Sequence, residues 1–219
     1  MQRELKPELL DSLPPDHPDA LHNRRDLRLI NRVMGNYRWL ARTLPDQLHP
    51  PGPVLEIGAG TGELAEHLAA RGIATDGLDL WPAPAGWPAG RCWYQADLLT
   101  FGGYNEYPVI IGNLIFHQFT AGQLAELGQK LRRSARVILV CEPLRRRSSQ
   151  VVFATIAPLL GANHVSLHDG RVSIAAGFQG DELPKMLGLT EPGWDCRCHK
   201  TLLGAYRMVA RRVETLATH

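Results

Sequence analysis

Charge of one sign is what this sequence lacks first: 24 lysines and arginines stand against 22 aspartates and glutamates, a net of +2 in 219 residues. So even a balance gives no electrostatic ground for a nucleic-acid partner. No stretch of about 18 consecutive apolar residues occurs, and the N-terminus holds no apolar run of secretory-signal length. A cytoplasmic chain with no membrane span is therefore expected. Cysteine is scarce too, and Cys92, Cys141, Cys196 and Cys198 are too scattered for a disulfide framework in a chain long enough to fold without staples. Cys196, Cys198 and His199 come nearest to a metal motif but lack the paired spacing of zinc sites, so no metal is expected. Repeats and low-complexity tracts are absent. What remains is one globular core, with 44% hydrophobic residues to fill it.

The chain is punctuated by proline and glycine. Between Asp19 and Leu44, the positions Leu27, Ile30, Met34, Tyr37, Ala41 and Leu44 recur at steps of three and four, one face of a helix that Gly35-Asn36 divides. "LHPPGP" closes this N-terminal helical arm or lid, residues 1–50, and opens the main domain, residues 51–219. Val54 to Ile57 reads as a buried strand, Gly62 to Arg71 as a helix closed by Gly72, and Ile73 to Leu80 as a second strand. "RCWYQADLL", "YPVIIGNLI" and "RVILVCE" read as further strands. Thr120 and Gln123 have capping-box spacing, which predicts a helix from about Ala121 to Arg133. Strand-helix alternation of this kind makes a mostly parallel sheet with helices on both faces, an α/β Rossmann-like fold. "WDCRCHKTLLGAYRMVARRV" has no room for a crossover helix and reads as a C-terminal antiparallel hairpin turning near Leu203-Gly204.

The turn in "VLEIGAGTGELAEHL" joins the first strand to the first helix of the domain through Gly58, Gly60 and Gly62. Missing side chains there bring a ligand against bare backbone. Asp79 follows Gly58 at about the 20-residue interval from which an acid reaches a ribose hydroxyl, and Asp97 ends the third strand on the same sheet edge. An adenosine-bearing ligand fits this set. The dinucleotide fingerprint needs its third glycine at position 63, where Glu63 stands instead and would repel a pyrophosphate. Glu56, buried in the strand before the turn, suits a ligand with a cationic amino-acid moiety.

With Glu56, Gly58, Gly60 and Gly62 in the acid-x-glycine-x-glycine-x-glycine pattern, "VLEIGAGTGELA" resembles the first motif of the class I S-adenosylmethionine-dependent methyltransferases. The resemblance covers about Val54 to Arg212 and is nearest to the small-molecule, quinone-methyltransferase-like branch. It implies a seven-stranded sheet, S-adenosyl-L-methionine as cofactor, and a binding set of Glu56, Gly58, Ala59, Gly60, Gly62, Asp79, Leu80, Asp97, Leu98 and Asn113. The family's helix after the ribose acid is replaced here by "LWPAPAGWPAG", an irregular loop.

The acceptor is expected to be a small hydrophobic molecule, phenolic, quinone-like or polyketide-like, methylated on oxygen or carbon. In-line displacement draws much of its rate from proximity. A histidine with pKa near 6.5 assists by taking a phenol's proton. His117, just past the fourth strand, is the first candidate for that role. His168, beside Asp169 and ahead of a surface turn expected at Gly170, is the second. The Arg145-Arg146-Arg147 run reads as a solvated loop, and the helical arm as a lid over the acceptor. The competing readings are an RNA or protein methyltransferase, a nicotinamide-dependent oxidoreductase and a non-catalytic cofactor-binding protein. The first lacks the Asn/Asp-Pro-Pro-aromatic signature, since Asn113-Leu114-Ile115-Phe116 stands in its place, and the second is disfavoured by Gly62 and Glu63.

Overall fold

The parallel strands β1 (Val54–Ile57), β2 (Thr75–Asp79), β3 (Trp93–Gln95), β4 (Val109–Asn113) and β5 (Val137–Pro143) lie in one seven-stranded sheet of the computed structural model. Residues 1–14, 16–48, 52–190 and 192–213 are described. β7 (Ala205–Arg212) pairs antiparallel with β5, and β6 (Trp194–Lys200) antiparallel with β7, which is the hairpin expected from the sequence. Strand order is β3-β2-β1-β4-β5-β7-β6. Because the order reverses between β1 and β4, their C-terminal ends border a crevice that no connection crosses.

Alternation along the central strands fills both faces. Leu55, Ile57, Ile110, Ile138 and Val140 pack in one core with Leu124, Leu127 and Leu131 of α4 (Ala121–Ser134). Val54, Val109, Ile111, Val137 and Leu139 pack on the other side, with Leu64 and Leu68 of α3 (Glu63–Ala69) and with Leu40 and Ala41 of α2 (Asn36–Thr43). The capping box at α4 is present, Thr120 Oγ1 accepting from Gln123 N. β2 and β3 are shorter than the sequence suggested, and α3 stops two residues before Arg71.

The N-terminal arm divides in packing as well as in chain. α1 (Pro18–Met34) ends on Gly35, whose φ of 67° turns the chain directly into α2. Only the later part of the arm's apolar stripe enters the core: Ala41 and Leu44 are buried in it and Tyr37 packs against it while also lining a cavity, whereas Leu27, Ile30 and Met34 of α1 face that cavity alone. The arm's boundary near residue 50 lies outside the described residues.

Two expectations for the C-terminal half are corrected. "HVSLHDGRVSIAA" is a continuous helix, α6 (His164–Ala176), capped by the Asn163 side chain, and not a surface turn. Gly170 serves close packing instead of a bend, since a Cβ there would lie 2.1 Å from the Phe153 ring of α5 (Arg147–Leu159). Arg145 is not solvated either. It is buried, donating from Nε to Gly177 O at 3.1 Å and pairing with Glu182 at the start of α7 (Glu182–Met186).

Gly128 of α4 tests how tightly this frame is packed. A Cβ there would sit 2.2 Å from the Leu187 carbonyl oxygen just after α7. Helix propensity alone favours Gly128→Ala by ~1 kcal/mol. Overpacking against rigid backbone is the larger effect, so this variant should lose ~1–3 kcal/mol in urea unfolding; a gain in stability would show that the α4–α7 contact is loose.

Candidate functional site

The glycine turn rises from the crevice between β1 and β4. Gly58 must be glycine twice over: its φ is 66°, and a Cβ would come within 2.5 Å of Ile115 in the loop after β4. Gly60, at φ 55°, has open space where a Cβ would point, and its N–H donates to Asp79 Oδ2 at 2.8 Å. Asp79 is buried at the end of β2 and also accepts from Trp81 N at 3.0 Å, so the acid and the turn are locked to each other. Each carboxylate oxygen retains a lone pair for a further donor. Beside them Leu98 is buried, Asp97 is exposed with Oδ1 on Leu99 N, and Leu80 and Trp81 stand largely exposed at the rim.

Three buried acceptors of residues on this cavity lack donors, Asn23 Oδ1 of α1 and two beside the glycine turn. Glu56 Oε2 and Asn113 Oδ1 are buried, have no hydrogen-bond partner, and belong to residues that line the same cavity. Burial, and then the charges of Glu63 and Asp79, push the Glu56 carboxyl well above its ordinary range. Asn113 Nδ2 donates to Asn31 Oδ1 at 3.0 Å, and Asn36 Nδ2 reaches the same oxygen at 3.1 Å, so α1 is fastened to the end of β4. Arg28 of α1 pairs with Glu63 at 3.1 Å across the glycine turn.

A second polar group stands beyond the end of β4. Glu142 of β5 has no exposed surface, and its carboxylate accepts from the N–H groups of Ile115 (2.8 Å), Phe116 (2.7 Å) and His117 (3.2 Å). It also accepts a hydrogen bond from His117 Nδ1 at 2.6 Å, leaving Nε2 turned towards Glu8 at 3.3 Å. Burial disfavours the imidazolium, but Glu142 and Glu8 outweigh that cost and raise His117 from 6.5 to about 10. His117 is thus a held cation at neutral pH, not the histidine of ordinary pKa that the sequence suggested. Leu114, next to it in the β4 loop, has φ 58°, and among the described residues is alone in being a non-glycine in that region.

Glu56, Asn113, Leu114, His117 and Glu8 line one cavity of about 750 Å³, with Glu142 buried behind it. From the glycine turn it runs under α1 to a chamber walled by Leu10, Ile115, Phe119, Val152, Phe153 and Ile174. Glu8, on the segment before α1, and Ser173 of α6 also line it. Nine of the ten residues named for the cofactor line it, Glu56, Gly58, Ala59, Gly60, Asp79, Leu80, Asp97, Leu98 and Asn113, and so does His117 of the catalytic pair. Gly62 instead sits under the irregular loop, where a Cβ would meet Trp87 at 3.3 Å. His168 does not line the cavity. Its Nδ1 meets Asp169 Oδ1 at 2.9 Å, and it is Asp169 that faces the chamber while accepting from Leu9 N and Leu10 N. Sequence reasoning passed over Glu142, Glu8, Ser173 and Asn31. Glu142 alone carried a signal, as an acid inside the apolar run "RVILVCEP".

The fold has known counterparts. The plantazolicin methyltransferase BpumL in complex with SAH aligns over 93% of this chain and 92% of its own, with a TM-score of 0.69 and 12% identity. A structure from the conversion of a disulfide bond into a thioacetal group during echinomycin biosynthesis aligns over 78% and 80%, with a TM-score of 0.58 and 23% identity. Magnesium protoporphyrin IX methyltransferase from Synechocystis PCC 6803 with bound SAH aligns over 84% and 83%, with a TM-score of 0.53 and 18% identity. The chain therefore has the class I methyltransferase fold. No family model and no curated protein matches the sequence.

Because the folded pKa of His117, about 10, lies above the ordinary 6.5, its ion pairing stabilises the fold fully below pH 6.5 and is lost as pH rises through about 10. The melting temperature should accordingly fall between those limits. His117→Gln should flatten that dependence and cost ~3–5 kcal/mol at pH 6.5, since Glu142 is left buried and uncompensated. An identical pH profile in both proteins would show that His117 is not charged.

Proposed function

We propose that this chain is an S-adenosylmethionine-dependent methyltransferase acting on a small, mainly apolar acceptor. The observation that carries the reading is the pair of donorless acceptors, Glu56 Oε2 and Asn113 Oδ1, beside the glycine turn. A buried acceptor without a donor is costly. A ligand ammonium group supplies the missing donors and the charge that Glu56 lacks, and the amino-acid end of this cofactor carries one. Asp79 receives the ribose hydroxyls, Leu80, Asp97 and Leu98 border the adenine, and Gly58 and Gly60, with Ala59 between them, bring the backbone close beneath the nucleoside, while Gly62 turns the chain into α3. A pyrophosphate in the same place would face Glu56, Glu63 and Asp79, which disfavours a nicotinamide cofactor.

When bound, the cofactor supplies a methyl group on a cationic sulfur. The chain's own part is to hold the acceptor in line, to exclude water and to control one proton. The apolar chamber, with α1 and the N-terminal segment over it, does the first two. His117 is the acceptor-side group in preference to His168, because it lines the cavity and His168 does not. Chamber and histidine together suit a phenolic, quinone-like or polyketide-like molecule, methylated on oxygen or carbon. The reading calls for no nucleic acid. No helix among the described residues is long and apolar enough to cross a membrane.

Calorimetry with S-adenosylmethionine and with NAD tests this directly, and tighter binding of NAD would overturn it. Glu56→Gln and Asp79→Ala should each cost the cofactor ~1–3 kcal/mol of affinity, the scale for a charge-assisted hydrogen bond. Unchanged affinity in both would remove them from the site.

A further inference from the structure

Glu8 is the carboxylate paired with His117 on its chamber side, and it comes from outside the sheet and its helices, on the segment before α1. Its Oε1 oxygen is held by two donors at once, His117 Nε2 at 3.3 Å and Ser173 Oγ at 2.5 Å. Both donors belong to the frame: His117 is fixed by Glu142 of β5, and Ser173 by its place on α6. Both also line the cavity that begins at the glycine turn. One anionic oxygen therefore sits on a rigid seat of two donors, inside the chamber and on the sheet edge where the methyl donor of the proposed function would lie.

The segment that brings Glu8 there is held differently. The 3-10 turn that follows, Leu10–Ser12, buries none of its residues. Its attachments are polar: Leu9 N and Leu10 N to Asp169, Arg3 to the carbonyls of Ala176, His117 and Phe119, and Glu4 N to Ala175 O. A segment fastened by part-buried polar contacts, with little apolar burial of its own, is released at lower free-energy cost than an element packed into the core. The seat itself does not depend on it.

We propose that His117 and Ser173 form the seat for an ionised oxygen of the acceptor, and that Glu8 occupies this seat in the resting chain as an internal competitor. This rests on the methyltransferase reading and narrows it to acceptors bearing an acidic O–H, such as a phenol or an enol. Exchanging the Glu8 carboxylate for such an oxyanion keeps the local charge unchanged: His117 stays cationic between Glu142 and one other anion. His117 then needs no proton from the acceptor. The acceptor gives its proton to solvent on ionising, its oxygen forms the new O–C bond, and the C–S bond breaks with its electron pair remaining on the sulfur. Of the other charged groups near this point, Asp11 and His168 act on Glu8 or His117 only through space, and Arg3 lies beyond the His117 carbonyl.

4-Nitrophenol tests the seat without turnover, because its ionised form is coloured and its neutral form is not. Titrated near pH 6, with and without S-adenosylhomocysteine, the wild type should bind it weakly. Glu8→Ala should bind it as the phenolate about tenfold more tightly, since the seat is no longer occupied. Glu8→Gln, which keeps the shape of the side chain, should also bind more tightly and carries the comparison if the alanine variant does not fold. Adding His117→Asn or Ser173→Ala to either should remove the gain. Binding no tighter than wild type in both Glu8 variants, or binding of the colourless phenol, overturns the proposal. Failure to bind S-adenosylhomocysteine would count against the cofactor reading alone, because the titration without it still reports on the seat.

Discussion

A carboxylate with no exposed surface needs several donors, and how Glu142 finds them decides the shape of the site. Its four hydrogen bonds gather three successive N–H groups and one imidazole from the loop after β4. An uncompensated charge in that position would cost several kcal/mol, so the loop has one acceptable path. That path forces Leu114 into left-handed backbone and lays Ile115 over Gly58, where no side chain fits. The glycine turn and the histidine are thus two ends of one constraint. Each is fixed because the other is.

Around this polar centre the apolar residues do two kinds of work. Those of the sheet, α3, α4 and α2 close two cores. Those of α1 do not, since its buried residues are Ala20, Asn23, Asp26 and Asn31 and its apolar stripe faces the cavity. α1 is held by side-chain hydrogen bonds, Asn31 to Asn113, Asp26 to Ser166 and Arg28 to Glu63. A helix that keeps leucine, isoleucine and methionine on the wall of a hollow is arranged for an apolar guest. The same division between a packed frame and a polar attachment recurs in the segment that carries Glu8.

The sheet and the glycine-turn wall of the cavity were legible because they rest on local pattern. Val54–Ile57, Asp79 and the terminal hairpin each follow from periodicity or spacing within a few tens of residues, and the structure places them as read, whereas β3 ends at Gln95, two residues before the Asp97 expected to close it. The wall around His117 was not, because its contacts join residues far apart in sequence: Glu8 to His117, Glu8 to Ser173, Leu9 to Asp169. Gly170 misled for a definite reason. A glycine inside a helix looks like a turn unless the ring packed against it is known. His117 was identified by position, yet its charge is set by Glu142 and Glu8, which no pattern near it reveals.

The central claim is that the crevice at the ends of β1 and β4 is built for an amino-acid-bearing nucleoside. A crystal structure with S-adenosylhomocysteine tests it most directly. The account predicts the ligand's amino group within hydrogen-bonding distance of Glu56 Oε2 or Asn113 Oδ1, with the ribose on Asp79. A ligand bound elsewhere, or bound there with both acceptors still without a donor, would contradict it.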